Sequence, residues 1–289
     1  MQNVTTNFID LCMSIFDKEM IVSEDKYYKM SFSPKIFLET FIEKHPYFKN
    51  EQQDCIEFIR KLLEDISMEN NRNKNINSYS ELSLENKNKN IQSKEFNEYF
   101  LSRENSFITD YFYFQLINIF TCECGEEFYS FQKLIDIPLL IPILKGEISL
   151  KELIKEFMRE IMVNLKVKCR KCKIEMENIK KKIRFNILND FIIFSIQRFD
   201  PKLSIKNNIR INFEEIIDLN EFCDCNEDNT STQFKLFALI NHIGSINYGQ
   251  YYSLIKLEDE WYEFNDSNTI KLNNIENYST NVCIFSIKK

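Results

Sequence analysis

The sequence predicts a domain of mixed α/β (α+β) structure, with helices first and sheets after. Three observations carry this. Apolar residues recur at helical spacing through much of the chain up to Ile66. From Gln250 to Leu257, and again from Glu260 to Asn265, they alternate with polar ones, as in half-buried antiparallel strands joined by an acidic turn. Finally, 289 residues with 44% hydrophobic and 14% aromatic content can bury the core of one large domain or two smaller ones.

Taken in order, Phe8, Leu11, Cys12, Ile15 and Phe16 fall on one helical face, which makes Cys12 a core residue rather than a nucleophile. A second helix is expected from Pro34 to Lys44, with Ile36, Phe37 and Phe41 inward, Ser33 as cap and Pro34 in the first turn. His45 then ends that helix, with nothing near it in sequence to orient it for catalysis. Glu51 to Ser67 places Cys55, Ile59, Leu62, Leu63 and Ile66 on the apolar face of a strongly amphipathic helix. Met68 to Glu95 is rich in Asn, Lys, Glu and Ser and cannot bury enough surface to offset its ordering entropy, so a flexible insertion is expected there. Structure resumes near Phe96, and Phe107, Tyr111, Phe112, Tyr113 and Phe114 lead into a β-rich run ending at Cys122. Leu150, Leu153, Ile154, Phe157 and Ile161 supply the apolar face of another helix. Ile183, Phe185 and Ile187 form a strand, Phe191 to Gln197 a fully buried second, and Phe234 to Ile240 leads on from there. Gly244 and Gly249, two of only four glycines, flank the short loop before Gln250, where backbone must bend sharply or approach a ligand closely.

Nine cysteines, an odd number with two close pairs, suit reduced thiols and metal ligation better than a disulfide framework. Cys122 and Cys124 in TCECGEEFYS, and Cys169 and Cys172 in VKCRKCKIE, put a thiolate pair on each of two hairpin turns. That is the arrangement a tetrahedral structural zinc needs, the alternative being a collapsed hairpin with metal-free thiols. Cys223 and Cys225 have no second pair nearby and read as exposed loop thiols. The net charge of −7 and pI near 5.2 argue against a nucleic-acid surface and permit a basic partner. No stretch approaches about 18 uninterrupted apolar residues, and no basic-then-apolar segment follows Met1. Neither membrane span nor secretion signal is visible, so a cytoplasmic or nuclear location is expected.

The stretch Asn241 to Leu272, NHIGSINYGQYYSLIKLEDEWYEFNDSNTIKL, resembles the C-terminal signature of ubiquitin-specific proteases, in which an N-H-x-G loop leads to G-H-Y on one strand and W-Y-x-F-[DN]-D on the next. QQDCIEFIRKLL, from Gln52, is similar to the family box Q-Q-D-A-x-E-F-L-x-x-L-L, with Cys55 in place of alanine. IDIPLLIP from Ile135, FIIFSIQRF from Phe191 and the closing VCIFSIKK resemble strands of the same family. The resemblance implies one papain-like domain over residues 1–289: a helical thumb (1–111, with the flexible insert at 68–95), mainly β fingers (112–190) and mainly β palm (191–289). It further implies a fingers zinc on Cys122, Cys124, Cys169 and Cys172, although the family has C-x2-C in both pairs and the first pair here is one residue shorter.

Family members hydrolyse the bond after ubiquitin's C-terminal glycine with a Cys–His–Asp/Asn triad. The resemblance implies that Asp54, Glu57 and Tyr251 bind ubiquitin, the two acids facing its basic C-terminal tail, where carboxylates pair well with arginines. At the catalytic histidine position stands Gln250, followed by Asn265 at the third triad position and Asp266 at the family's next acid. His242 matches a non-catalytic family position eight residues earlier. Nothing in Met1 to Ile15 matches the family box G-L-x-N-L-G-N-T-C-[YF]-M-N-S that carries the nucleophile, and the distance from Asp10 to Gln52 puts that box before Met1, either outside this sequence or lost. A catalytically impaired binder of ubiquitin or a ubiquitin-like protein is therefore expected, with an active cysteine-type deubiquitinase using another base as the alternative.

Overall fold

The computed structural model describes residues 3–16, 33–49, 52–74, 82–84, 87–142, 146–200, 205–224, 231–245 and 248–289. Helices α1 (Val4–Phe16), α2 (Lys35–Lys44) and α3 (Cys55–Glu69), with the short α5 (Phe107–Tyr111), enclose an aromatic-rich core of Val4, Phe37, Phe41, Leu62, Ile66 and Ile108. The Phe41 ring meets those of Phe58 and Phe48 at 5.0 and 5.2 Å. Helix α1 is tied down at its start, where the Thr5 amide and hydroxyl donate to Glu69 at 2.8 and 2.6 Å. Its buried side is therefore Val4, Asn7, Phe8 and Leu11, and the expected inward Ile15 is exposed. Ile36 is likewise 62% exposed, and Pro34 rather than Ser33 occupies the cap position of α2, with no side-chain hydrogen bond there. His45 does end α2, but it has an orienting partner: its Nε2 lies 2.8 Å from buried Asp65 Oδ2, on α3, and Lys44 lies 2.8 Å from the other oxygen.

The expected insertion is shorter than its composition suggests. Helix α3 continues to Glu69, and α4 (Lys89–Leu101) begins on Asn88, whose side chain accepts from Ile91 N–H at 2.9 Å. Its Ser93 is buried in a polar cluster, bonded to Asn186, with Gln115 Nε2 donating to Ser93 Oγ at 3.0 Å and Asn186 Oδ1 at 2.8 Å. Buried hydrogen bonding orders a segment that apolar content alone does not. Residues 75–81 and 85–86 of that stretch lie outside the described residues.

Strands β1 (Phe114–Thr121) and β2 (Glu127–Leu134) are followed by β3 (Asp136–Leu140), β4 (Glu147–Ser149), α6 (Leu150–Phe157), β5 (Ile161–Lys168), β6 (Glu175–Ile187) and β7 (Phe191–Gln197). Then come β8 (Phe199–Asp200), β9 (Ile205–Lys206), β10 (Arg210–Asn212), β11 (Ile216–Asp218), β12 (Gln233–Gly244), β13 (Gly249–Leu257), β14 (Glu260–Asn265), β15 (Asn268–Leu272) and β16 (Val282–Lys288). One sheet has the order β2-β1-β6-β5; the larger runs β15-β14-β13-β12-β16-β7-β3, with β11 beside β12. Ile161, expected on the helix, instead opens β5 opposite Lys181, because α6 ends at Phe157 with Met158 as its cap. The main core lies under the larger sheet, around Phe194, Phe234, Leu239, Leu254 and Phe285. Cys223 is half-buried against it and donates to Leu219 O, so it is not an exposed loop thiol; Cys225 lies outside the described residues. Helix α3 covers the sheet's opposite face through Ile56, Ile193 and Ile284, and Arg60 grips Asp136 at 2.8 and 2.6 Å.

Arg198, 1% exposed, follows β7 and ties two backbone stretches together: it donates to the carbonyls of Asn207 (2.9 Å) and Ile209 (2.9 Å) in one and of Ser279 (3.1 Å) and Val282 (2.6 Å) in the other. Burial pulls its pKa down to about 10, which leaves the guanidinium charged at neutral pH. The two-residue turn from β13 to β14 holds Glu258 and Asp259 in left-handed backbone, at φ 49° and 73°.

Candidate functional site

Two elements meet where the start of α3 reaches the first residues of β13 in the larger sheet. Asp54 is the N-cap of α3: its Oδ1 accepts from Ile56 N–H at 2.7 Å and Glu57 N–H at 3.4 Å, as the unpaired donors of a helix start require. Just ahead, Gln52 pairs with Gly249 as a strand would, donating to its carbonyl at 3.1 Å and accepting its N–H at 2.9 Å. Gly249 has no room for a side chain, because a Cβ there would collide with the His242 imidazole and lie 2.5 Å from Ile243 O. Gly244, on the other side of the loop, has φ 129° and would strike Gly249 itself. Both glycines are therefore required by close backbone approach.

Gln250 opens β13 and is exposed. Its Nε2 donates to Asn265 Oδ1 at 2.6 Å and to Asp266 Oδ2 at 2.9 Å. Register does this: Asn265 ends β14, the neighbour of β13, and Asp266 turns away at φ 52°. Tyr251, facing the other side of the sheet, is half-buried; burial and then the Asp54 carboxylate raise its phenol pKa. His242 lies opposite it, 4% exposed, with its ring 4.7 Å from that of Tyr251 and 5.3 Å from that of Phe199. Burial, then nearby Lys206, lower the His242 pKa; its Nδ1 has no hydrogen-bond partner among the described residues. Glu57 sits half-buried in the first turn of α3, one residue from the buried Ile56. The structure thus brings Asp54, Tyr251, Gln250, Asn265 and Asp266 to one region. Sequence reasoning missed Gln52 as the clamp on Gly249; its place in the Q-Q-D run was the available signal.

At the far end of the smaller sheet, Cys122, Cys124, Cys169 and Cys172 converge, their sulfurs all within 4.8 Å of one another. Cys122 and Cys172 are 3.8 Å apart and Cys124 and Cys169 3.6 Å. A tetrahedral site with Zn–S bonds of about 2.3 Å needs sulfurs about 3.8 Å apart, so the four thiolates fit a structural zinc. The shorter first pair closes through Gly125 at φ 84°, whose N–H donates to Cys122 O at 2.9 Å. In the second, Lys173 takes the left-handed position at φ 63° and donates to Cys169 O at 3.0 Å. Without a metal the cluster shares its protons unevenly: the amide of Cys172, with that of Lys171, holds Cys169 low while Cys122 and Cys172 are pushed up, so a bound zinc would displace protons from the raised thiols.

A helical lobe against a long sheet, with a four-cysteine sheet alongside and Gln250, Asn265 and Asp266 bonded together on the larger sheet, is an α+β architecture of papain-like protease type. The family profile described as ubiquitin carboxyl-terminal hydrolase matches residues 2–284. The chain belongs to the ubiquitin carboxyl-terminal hydrolase family. It is 26% identical over 266 residues to rat ubiquitin carboxyl-terminal hydrolase 21, covering 81% of this chain and 46% of the relative. It is 29% identical over 244 residues to chicken ubiquitin carboxyl-terminal hydrolase 2, covering 75% of this chain and 62% of that protein. The chain thus spans less than two thirds of the length of either relative. Among solved structures it is similar in fold to a SAGA DUB module of Ubp8, Sgf11, Sus1 and Sgf73 bound to monoubiquitin, with a TM-score of 0.66, 19% identity, and coverage of 88% of this chain and 53% of the other. A yeast SAGA DUB module with an Sgf73 mutant gives a TM-score of 0.70 at 17% identity, covering 99% and 58%. No helix of the described residues is long and apolar enough to cross a membrane.

Proposed function

We propose that this domain binds ubiquitin or a ubiquitin-like protein beside the start of α3 and the Gln250 end of the larger sheet without cleaving it. The observation that carries the reading is the amide of Gln250, bonded to Asn265 and Asp266 where the family's imidazole stands. A cysteine protease needs a neighbouring base to take the thiol proton and return it to the leaving amine. A carboxamide does not titrate near neutral pH and can do neither. His242 supports no rescue, since its ring is enclosed by Phe199 and Tyr251 and makes no hydrogen bond to Gln250 or Asn265 among the described residues. Asp54, with Oδ2 left over from capping, and Glu57 then meet the partner's basic tail, with Tyr251 beside Asp54.

Calorimetric titration with ubiquitin should give a micromolar affinity that weakens with salt. A fluorogenic ubiquitin C-terminal substrate should not be turned over by this chain, nor by the chain carrying an upstream G-N-T-C box, until Gln250→His is added, because nucleophile and base act as a unit. No heat and no chemical-shift change at high protein concentration overturns the binding reading. Turnover with Gln250 intact that is lost on His242→Ala overturns the impaired reading and makes His242 the base.

A further inference from the structure

We infer that Gln250 is a specificity-determining residue, which makes the site prefer a partner whose C-terminal glycine is joined through an amide bond over one that ends in a free carboxylate. Under the ubiquitin reading, on which this rests, the partner's end lies where the family's imidazole would act. The directions of the hydrogen bonds around Gln250 carry the preference. A primary amide has two N–H donors and one acceptor oxygen. Both donors are engaged within the protein: Nε2 donates to Asn265 Oδ1 at 2.6 Å and to Asp266 Oδ2 at 2.9 Å. An ionised carboxylate only accepts, so Asp266 fixes which end of the amide faces it. Asn265 continues the same direction, because its Nδ2 donates to Glu263 Oε1 at 3.4 Å, and the other Glu263 oxygen takes the Tyr278 hydroxyl at 2.7 Å.

What these side chains leave facing outward accepts and does not donate. Gln250 Oε1 and Asp266 Oδ1 take no hydrogen bond among the described residues, and both side chains are exposed. The side chains bonded to Asp266 and Glu263 are those of Gln250, Asn265 and Tyr278, all uncharged, so among the described residues no cation in contact offsets the two carboxylates. An imidazole in this place has a donor and an acceptor and serves either kind of chain end. The glutamine serves one. An arriving carboxylate is itself anionic and acceptor-only, so it finds no donor on Gln250 or Asp266 and meets like charge. An amide N–H is neutral and finds its acceptor in Gln250 Oε1. Specificity of this sort comes from the contact refused as much as from the one made. Because Gln250 is exposed, water tempers the mismatch, and the preference is about tenfold, the order that one net hydrogen bond supplies.

The test is calorimetric titration of the full chain with three forms of ubiquitin: the free carboxylate, the C-terminal carboxamide, and an isopeptide to the lysine of a short peptide. The carboxamide and the isopeptide should each bind about tenfold more tightly than the carboxylate. Including the carboxamide separates the amide group from contacts made by the added peptide. Gln250→Lys replaces the acceptor by a cationic donor and should bring the ratio to about one or reverse it. Asp266→Asn removes one charge while tolerating the left-handed backbone at φ 52°, and should reduce the ratio by about threefold. Equal affinity for carboxylate and carboxamide, tighter binding of the carboxylate, or a ratio unchanged by Gln250→Lys overturns the role of Gln250 and leaves the binding reading standing. Should Gln250→Lys bind no form, Asp266→Asn decides, and an undiminished ratio there overturns the proposal. Failure of the parent chain to bind any form at high protein concentration overturns the binding reading and this preference with it.

Discussion

Replacing Arg198 by methionine should destabilise the domain by about 3 kcal/mol. The substitution keeps a long flexible side chain of similar reach but removes the arginine's donors from the carbonyls of Val282, Asn207 and Ile209, while Ser279 O keeps the Ile211 N–H at 3.2 Å. Each buried acceptor left unpaired costs about 1–3 kcal/mol. Against this, the mutation relieves the burial of a cation whose pKa is pulled from 12.5 to about 10, a relief of about 3 kcal/mol at most. The lost bonds outweigh the relief because three carbonyls depend on one group. Urea unfolding at pH 7 should move its midpoint down by about 1 M with an unchanged slope. A shift below about 0.3 M would refute the reasoning, since it would require that solvent satisfies those carbonyls without the arginine.

Metal analysis of protein purified without chelator should give about one zinc per chain, and chelation should loosen the smaller sheet while the fluorescence of Trp261, the sole tryptophan and buried in the larger sheet, stays constant. Gly249→Ala should cost about 2–3 kcal/mol in urea unfolding through collision with the His242 ring and Ile243 O, and His242→Ala should restore only part of that, because the carbonyl contact remains. Lys133, whose ammonium lies over the Phe100 ring at 5.7 Å, has its pKa lowered by burial to about 8. A base whose folded pKa is depressed binds fewer protons folded than unfolded, so its contribution to stability rises as pH increases from about 8 toward 10.5. Lys133→Met should therefore stabilise the domain at pH 7 by about 1–2 kcal/mol, after allowance for partial exposure and the lost ring contact, and the gap from the parent should narrow at pH 9.5, about the middle of that window.

What was legible in the sequence was local. The strands Gln250 to Leu257 and Glu260 to Asn265 were read almost to their ends, since strict alternation and an acidic turn are both encoded by neighbours. The cysteine pairs were legible because two short spacings suffice to propose four ligands, and the sheet then brings them together. Errors fell where a distant partner decides. Ile161 fits a helical face but is claimed by its cross-strand partner Lys181. Lys89 to Glu95 looks unfoldable until Gln115 and Asn186, from two strands, supply its buried bonds. Asp65 orients His45 from another helix, and Cys223 is covered by a core that its acidic neighbours in sequence do not suggest.

The hairpin turn at Glu258 and Asp259 has a consequence for how the molecule comes together. Favoured turns of this shape carry glycine or asparagine where the backbone is left-handed, and such residues let a hairpin close early and locally. Here Glu258 and Asp259 adopt that conformation against a steric cost of about 1–2 kcal/mol per residue. The turn therefore follows the strands and does not direct them. Pairing between β13 and β14 is drawn into register by long-range anchors, in which Lys256 and Trp261, opposite one another, both reach Glu215 at 2.6 and 3.2 Å. The alignment of Gln250 with Asn265 and Asp266 consequently rests on Glu215, outside the hairpin, and on the pairing of β13 with β12, more than on the turn that joins the two strands.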